Sequence, residues 1–305
     1  MNNRDLSIII PATNEILHIE RSVKSALTLT DKVFVVDSHS TDGTKEMAER
    51  LGAQVFQYDW TPESNFSKKM NWALDNLPIR TKWVMRLDAD EYFVGDNWGD
   101  EYDKLIAQVS EKVNGINVLR RIYFLGRWMR HRDNYPRPSM RILRYGKIKF
   151  ENRWLDEHID LGGGECMDFQ LEIADNPNIT ISKWIDKHNG YSLREAIMVI
   201  DEEIGLMKHD EQSGNFDEKA LNIKKKKNRY NKIKPYWRGF LYFCYRYFFK
   251  FGFLDGREGF LWDFYHAWWY RNLVDTKVQE IYSICGKDAD KIREYIWKIY
   301  KLKVE

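Results

Sequence analysis

Three cysteines, Cys166, Cys244 and Cys285, are all that this 305-residue chain contains. They stand far apart and offer no metal-binding spacing and no disulfide framework, which suits a reducing cytosol. An excess of one charge is also missing: 48 Lys and Arg stand against 46 Asp and Glu. That balance carries no polyanion signature, so no specific nucleic acid is expected as a partner. No uninterrupted apolar run reaches about 18 residues, which argues against a spanning helix. The opening "MNNRDLSIIIPATNE" lacks the basic region and long apolar core of a secretion signal, so a cytoplasmic location is expected. There is no internal repeat. The length suffices for one large core, or for one domain with an extension.

What is present first is an alternation. "LSIII" (6–10) reads as a strand stopped by Pro11, and Ile16, Ile19, Val23 and Leu27 recur at helical spacing with Thr13 or Asn14 as a cap. "KVFVVD" (32–37), "AQVFQY" (53–58) and "KWVMRL" (82–87) are further strands. Between them lie a helix ending at Gly52 and one marked by Phe66, Met70, Leu74 and Leu77. Continuous apolar strands alternating with helices predict a mostly parallel α/β sheet with helices on both faces. In the middle, "INVLRRIYFLG", "SMRILRY" and "ITISKWI" read as strands. "YSLREAIMVIDEEIGLMKH" reads as a helix, with Ser192 and Glu195 at capping-box spacing. Residues 210–231, with Lys224–Lys227 in a row, read as a linker or exposed arm.

Ligands of such sheets bind beyond the carboxyl ends of the strands. Here those ends carry Pro11–Glu15, Asp37, and the acids Asp88, Asp90 and Glu91 of "LDADE". Taken singly, Asp37 would cap a turn and Asn14 a helix. Their common edge points to a site instead. Asp88 and Asp90, at i and i+2 of an extended segment, project to one side. Two such carboxylates suit a hard divalent cation, Mg²⁺ or Mn²⁺, which commonly bridges to substrate phosphates.

"SIIIPATNE", "VFVVDSHSTDGT" and "WVMRLDADE", in that order and spacing, resemble the nucleotide-binding half of glycosyltransferase family 2 over roughly the first hundred residues. "RWLDEHIDL", "WIDKHNGYSLREA" and "YRYFFKFGFLDGREGF" resemble later stretches of bacterial surface-polysaccharide and lipopolysaccharide transferases. The resemblance implies a GT-A fold, Rossmann-like, with a C-terminal aromatic-rich helical extension. It implies a transferase domain over 1–210, with a nucleotide-binding half (1–93) and an acceptor and catalytic half (94–210), and the extension over 211–305. It implies a nucleotide-sugar donor, with UDP-sugar as the default, and a glycan or lipid-linked acceptor. Pro11, Thr13 and Glu15 would border the base and ribose. Asp37 would hydrogen-bond the nucleoside, and Asp88 and Asp90 would flank the metal and diphosphate. Many relatives carry an aromatic where this chain has Thr13, and Thr cannot stack on a base.

Departure of a nucleoside diphosphate develops negative charge that a cation stabilises. The attacking hydroxyl must lose a proton to a positioned carboxylate. "WLDEH" offers Asp156, Glu157 and His158. Asp156 or Glu157 is the expected base of a single inverting displacement, with Glu157 preferred by the resemblance. His158 is a candidate metal or diphosphate contact, against a packing or capping role. His188 and Arg141 are candidate contacts to the diphosphate or acceptor; Arg141 interrupts the apolar "SMRILRY".

From Tyr236 to Tyr270, 18 of 35 residues are aromatic, too many for an ordinary surface helix. One reading packs them on the catalytic domain. The other lays a helix on an anionic bilayer, with Lys234, Arg238, Arg246 and Lys250 on one side of the wheel toward the headgroups. The expectation is peripheral attachment to the inner face of the cytoplasmic membrane. A metal-dependent nucleotidyltransferase is the alternative enzyme, but "PATNEI" is not the Gly-rich, basic phosphate loop it would bring. A non-catalytic membrane-bound scaffold that keeps the fold is the alternative outside enzymes.

Overall fold

The computed structural model describes residues 4–151, 158–207 and 234–304. They form two compact units. The first holds the described residues up to 60, together with 67–151 and 159–178. The second holds 61–66, His158 and the described residues from 179 onward.

The first unit is built on a nine-stranded sheet. β1 (Leu6–Ala12), β2 (Val33–Asp37), β3 (Gln54–Gln57) and β4 (Trp83–Arg86) lie in the order 3-2-1-4, all parallel. β1 and β2 are buried at every position except Pro11, so both faces of the sheet are covered, as continuous apolar strands require. α1 (Ile19–Leu29), α2 (Thr44–Arg50) and α4 (Trp98–Gln108) contribute to the core with Leu6, Ile8 and Ile10 of β1. α3 (Phe66–Asn76) buries Met70, Ala73 and Leu74.

β1 does not stop at Pro11. Ile8 and Ala12 bond toward β2, whereas the Ile9 carbonyl accepts from Leu87 on the β4 side. Pro11, two residues after Ile9, therefore faces the β4 side, beyond the last pair, Ile9 with Arg86. A missing N–H costs nothing at a place where no partner strand remains.

Beyond β4 the sheet becomes mixed rather than mostly parallel. β8 (Pro138–Arg144) runs antiparallel to β4 and to β6 (Val113–Phe124). β11 (Glu165–Asp175) joins β6 in parallel, and β5 (Glu91–Phe93) closes the edge antiparallel to β11. β7 (Arg127–Trp128) pairs with β6, and β9 (Lys149–Phe150) pairs with β10 (Ile159–Asp160) in a separate ribbon. β11 is a strand the sequence reading did not name, although Phe169, Leu171 and Ile173 alternate with Asp168, Gln170 and Glu172.

The second unit is helical. "ITISKWI" is not a strand, and no new helix begins at Ser192. One helix, α5 (Ile181–Ile204), runs through both segments from its cap at Thr180, whose side chain accepts from the Lys183 N–H. The Ser192 hydroxyl instead donates to the Asn189 carbonyl, and Glu195 pairs with Arg271. Burial decides the outcome, because Trp184, Leu193, Ile197 and Ile200 all pack inward from this helix. It packs on α8 (Tyr270–Cys285), and α9 (Ala289–Tyr300) completes the core through Ile292 and Ile296. The long continuous run of this unit starts at residue 179. Between α5 and α8 in sequence stand α6 (Trp237–Cys244), a π-helical turn (Tyr245–Phe249), α7 (Gly256–Asp263) and a second π-helical turn (Phe264–Trp269). The expected basic stripe is not intact. Arg238 and Arg246 turn inward to Asp275 and Asp263, because both acids are buried and require counter-charges. Among the described residues, no helix is long and apolar enough to cross a membrane.

Candidate active site

The loops after β1 and β2 are tied together residue by residue. Asn14 takes a left-handed conformation (φ 54°), which Asn tolerates better than most residues. Its N–H donates to Ser40 Oγ at 2.8 Å, and the Thr41 N–H donates to its side-chain oxygen at 2.9 Å. The Glu15 N–H donates to Thr44 Oγ1 and the Ile16 N–H to Asp42 Oδ2. Thr13 is exposed, and its hydroxyl donates to the Ala12 carbonyl at 2.7 Å. Glu15 accepts from His18 Nδ1 at 2.6 Å. The other ring nitrogen of His18 accepts from the Asn178 N–H, so the proton sits on Nδ1.

Asp37 is fully buried at the end of β2 and accepts from both the N–H and the hydroxyl of Ser40. Beside it lies a residue that sequence reasoning missed. Lys69 is 3% exposed, and its Nζ donates to the Ala12 carbonyl and to Ser38 Oγ, each at 2.9 Å. Burial pulls its pKa down to about 8, against the opposing charges of Asp37 and Glu15. The signal was present, since Lys69 falls on the apolar stripe of Phe66, Met70, Ala73 and Leu77. A cation on such a stripe needs buried oxygens to bond.

The acids of "LDADE" are not left bare. Arg86 grips Asp88 with Nε at 2.8 Å and Nη2 at 2.9 Å. Arg141, from β8, bonds Glu91 at 2.5 and 3.1 Å and reaches Asp88 at 3.3 Å. The Asp88 N–H donates to Glu91 Oε2, closing the turn. Burial pushes the Asp88 carboxyl up, but Arg86 and Arg141 together outweigh it and hold it far below the ordinary range. Burial pushes Glu91 the other way, upward, against the pull of Arg141 and with the help of the Asp88 charge. Arg141 thus serves as an internal counter-charge, with its guanidinium already spent within the chain.

Asp90 differs. It is half-buried, and its carbonyl accepts from Arg21 Nη2 at 3.2 Å and from the Asn176 N–H at 3.1 Å. Arg21 also lies over the Tyr92 ring, 4.4 Å from its centroid. The backbone of the turn is thereby fixed from α1 and from the end of β11. Among the described residues, no three His, Cys, Asp or Glu side chains converge as a metal-binding set.

His158 is half-buried and belongs to the second unit. Asp156 and Glu157 lie outside the described residues. His188 sits in an aromatic cluster of the second unit, not among phosphate-binding groups. It stacks on Trp184 with centroids 3.5 Å apart and meets Tyr191, His266 and Tyr270 edge-on. Its Nδ1 donates to the Trp184 carbonyl at 2.8 Å, and burial lowers its pKa from 6.5 to about 4. The unfolded chain therefore takes up the proton first. The stability of this unit is expected to be intact above pH 6.5 and to fall as the pH drops toward 4. The expected loss is about 3 kcal/mol. Urea midpoints across that window would show the slope in wild type and its absence in His188→Phe. Parallel slopes would rule out this residue as the source.

The glycosyl transferase family 2 model matches residues 7–167. An uncharacterized glycosyltransferase of Rickettsia prowazekii (strain Madrid E) is 35% identical over 91 residues, 29% of this chain and 28% of that protein. The lipopolysaccharide core biosynthesis glycosyltransferase LpsC of Rhizobium meliloti (strain 1021) is 25% identical over 148 residues, 48% of this chain and 53% of that protein. The succinoglycan biosynthesis protein ExoA of the same organism is 33% identical over 96 residues, 29% of each chain. Each match therefore spans well under two thirds of the relative's length. Among solved structures, glucosyl-3-phosphoglycerate synthase from Mycobacterium tuberculosis in complex with Mg²⁺ and uridine diphosphate aligns with TM-score 0.42 and 16% identity. That alignment covers 60% of this chain and 74% of the other.

Proposed function

Because this chain belongs to glycosyl transferase family 2, we propose that it moves a sugar from a nucleoside-diphosphate donor, UDP-sugar by default, to a hydroxyl of a glycan or glycolipid. The succinoglycan and lipopolysaccharide core biosynthesis named for two relatives supports cell-surface glycan synthesis as the setting. The reading rests above all on one sheet edge. β1 ends at Ala12, β2 at Asp37 and β4 at Arg86, and the loops that follow carry Thr13–Glu15, Ser38–Thr44 and Asp88–Glu91. In the order 3-2-1-4 that edge is a topological switch point, where open α/β sheets bind ligands.

Asp37 has no exposed surface and acts on the nucleoside through the Ser40 loop that it holds. Glu15 and Thr13 stand on the facing loop, and Lys69 fixes the two strand ends. The hard oxygen donors of the Asp88–Glu91 turn fit Mg²⁺ or Mn²⁺, which takes one or two carboxylates and completes its shell with phosphate and water. Asp90 would be the direct ligand; Asp88, held by two guanidiniums, suits an indirect one. When bound, the cation would stabilise charge on the departing diphosphate. A carboxylate of "WLDEH", Glu157 before Asp156, would take the acceptor proton in an inverting displacement. A lipid-linked acceptor would be met at the cytoplasmic membrane face.

A panel of nucleotide sugars with Mn²⁺ or Mg²⁺ and membrane acceptors, read as nucleoside diphosphate release, tests the reading. At least one donor should turn over. Glu157→Gln should bind that donor normally and lose on the order of a hundredfold in rate. Normal transfer by Glu157→Gln would remove it as the base. No turnover of any donor would favour the scaffold.

A further inference from the structure

Along residues 237–249, where α6 runs into its π-helical turn, the usual polarity of a surface helix is reversed. The charges face inward. Arg238, 7% exposed, donates through Nε to Asp275 at 3.0 Å, with a second bond from Nη2. Arg246 donates through Nε at 3.0 Å to Asp263, which is fully buried. Gly239 lies on the same inner face, where a Cβ would stand only 3.3 Å from the Trp268 carbonyl oxygen. The apolar residues face outward. Trp237, Leu241, Tyr245 and Phe248 recur every three or four residues and are 66%, 51%, 48% and 55% exposed; Phe249 is 73% exposed. The exposed face continues past the helix end through Phe251, Phe253 and Leu254. A helix facing water carries its charges outside and its apolar stripe inside.

We propose that this stripe inserts into the headgroup–acyl boundary of an anionic lipid bilayer, with the helix lying flat. Exposed Trp, Tyr and Phe favour that layer, and a contiguous apolar surface of this kind marks an interaction site. Lys234 and Arg257 are exposed beside the stripe, and Lys224–Lys227 precede it in sequence, a cationic complement to anionic headgroups. No described helix is built to span, which leaves attachment face-on. The two inward ion pairs anchor the helix to α7 and α8, so the rings are presented on a fixed support. The membrane contact is therefore aromatic, with Lys234 and Arg257 flanking it in the chain, rather than a basic stripe of arginines. This refines the membrane part of the proposed function and is independent of the transfer chemistry. Its test reads partition, so failure here and failure of turnover are separate results.

The full-length chain is floated with vesicles of phosphatidylcholine alone and of phosphatidylcholine with phosphatidylglycerol. Wild type should float with the anionic vesicles. Phe248→Ser/Phe249→Ser/Phe251→Ser should lose roughly tenfold or more in partition, with an unchanged melting temperature because all three are exposed. Brominated lipid should quench wild type more than Trp237→Phe, a readout that does not depend on the triple variant folding. Equal partition of wild type and triple variant would overturn the proposal, as would no flotation of wild type. So would a lipid-free dimer, seen by sedimentation velocity, that the triple variant abolishes: the occupant of the face would then be a second copy of the chain.

Discussion

Arg141→Met is expected to lower the stability of the first unit by about 3–5 kcal/mol. The guanidinium is 5% exposed on its side chain and faces Glu91, 1% exposed, at 2.5 Å. It also completes the neutralisation of Asp88, which keeps about a quarter of its surface (24% exposed). Methionine fills much of the same volume but leaves a buried carboxylate without its counter-charge, and that is what makes breaking a buried pair costly. Arg141→Met/Glu91→Met removes both charges and should recover most of the loss, since Asp88 keeps Arg86. A double-mutant cycle in urea measures the coupling. A shift within ~0.5 kcal/mol for the single variant, the range of an ordinary surface change, would show that the pair does not hold this turn.

Asp90→Asn is expected to reduce nucleotide-sugar turnover by about 10²–10³-fold, the effect of removing one group that stabilises developing charge. Its fold should survive. Two bonds that fix the backbone here run through its carbonyl, to Arg21 and to the Asn176 N–H, and asparagine leaves both intact. Asp96→Asn, at an exposed position five residues past Arg141's partner Glu91, changes the same net charge away from the turn and should keep full rate. Diphosphate release and melting temperature, measured together on both variants, separate chemistry from folding. Equal rates for Asp90→Asn and wild type would take the direct metal-ligand role away from Asp90.

Much of this sheet edge was legible because its signals are local. The strand runs at 6–12, 33–37, 54–57 and 83–86 are continuous and apolar, and each helix between them carries its own periodicity. Segments 113–144 and 165–175 were harder to read. Their order in the sheet, with β8 between β4 and β6 and β11 between β6 and β5, depends on pairings far apart in sequence. The stretch 179–185 was misread for a different reason. Ile179, Ile181, Trp184 and Ile185 suit a short strand or one turn of helix equally well, and only the packing of Trp184 and the residues after it chose between them.

The sequence alone determined the alternation of strand and helix, the family, and the edge at which "PATNE", Asp37 and "LDADE" would meet. The first and the last follow from periodicity and from residues adjacent in the chain, and the family from the likeness of those motifs to its members. Only the tertiary structure decided what each charge does. Arg141 neutralises Glu91 from 50 residues away, Lys69 bonds the Ala12 carbonyl across 57, and Arg238 turns inward to Asp275 across 37. A buried charge is tolerated only with a partner at hydrogen-bonding distance, and the chain must fold before that partner is at hand.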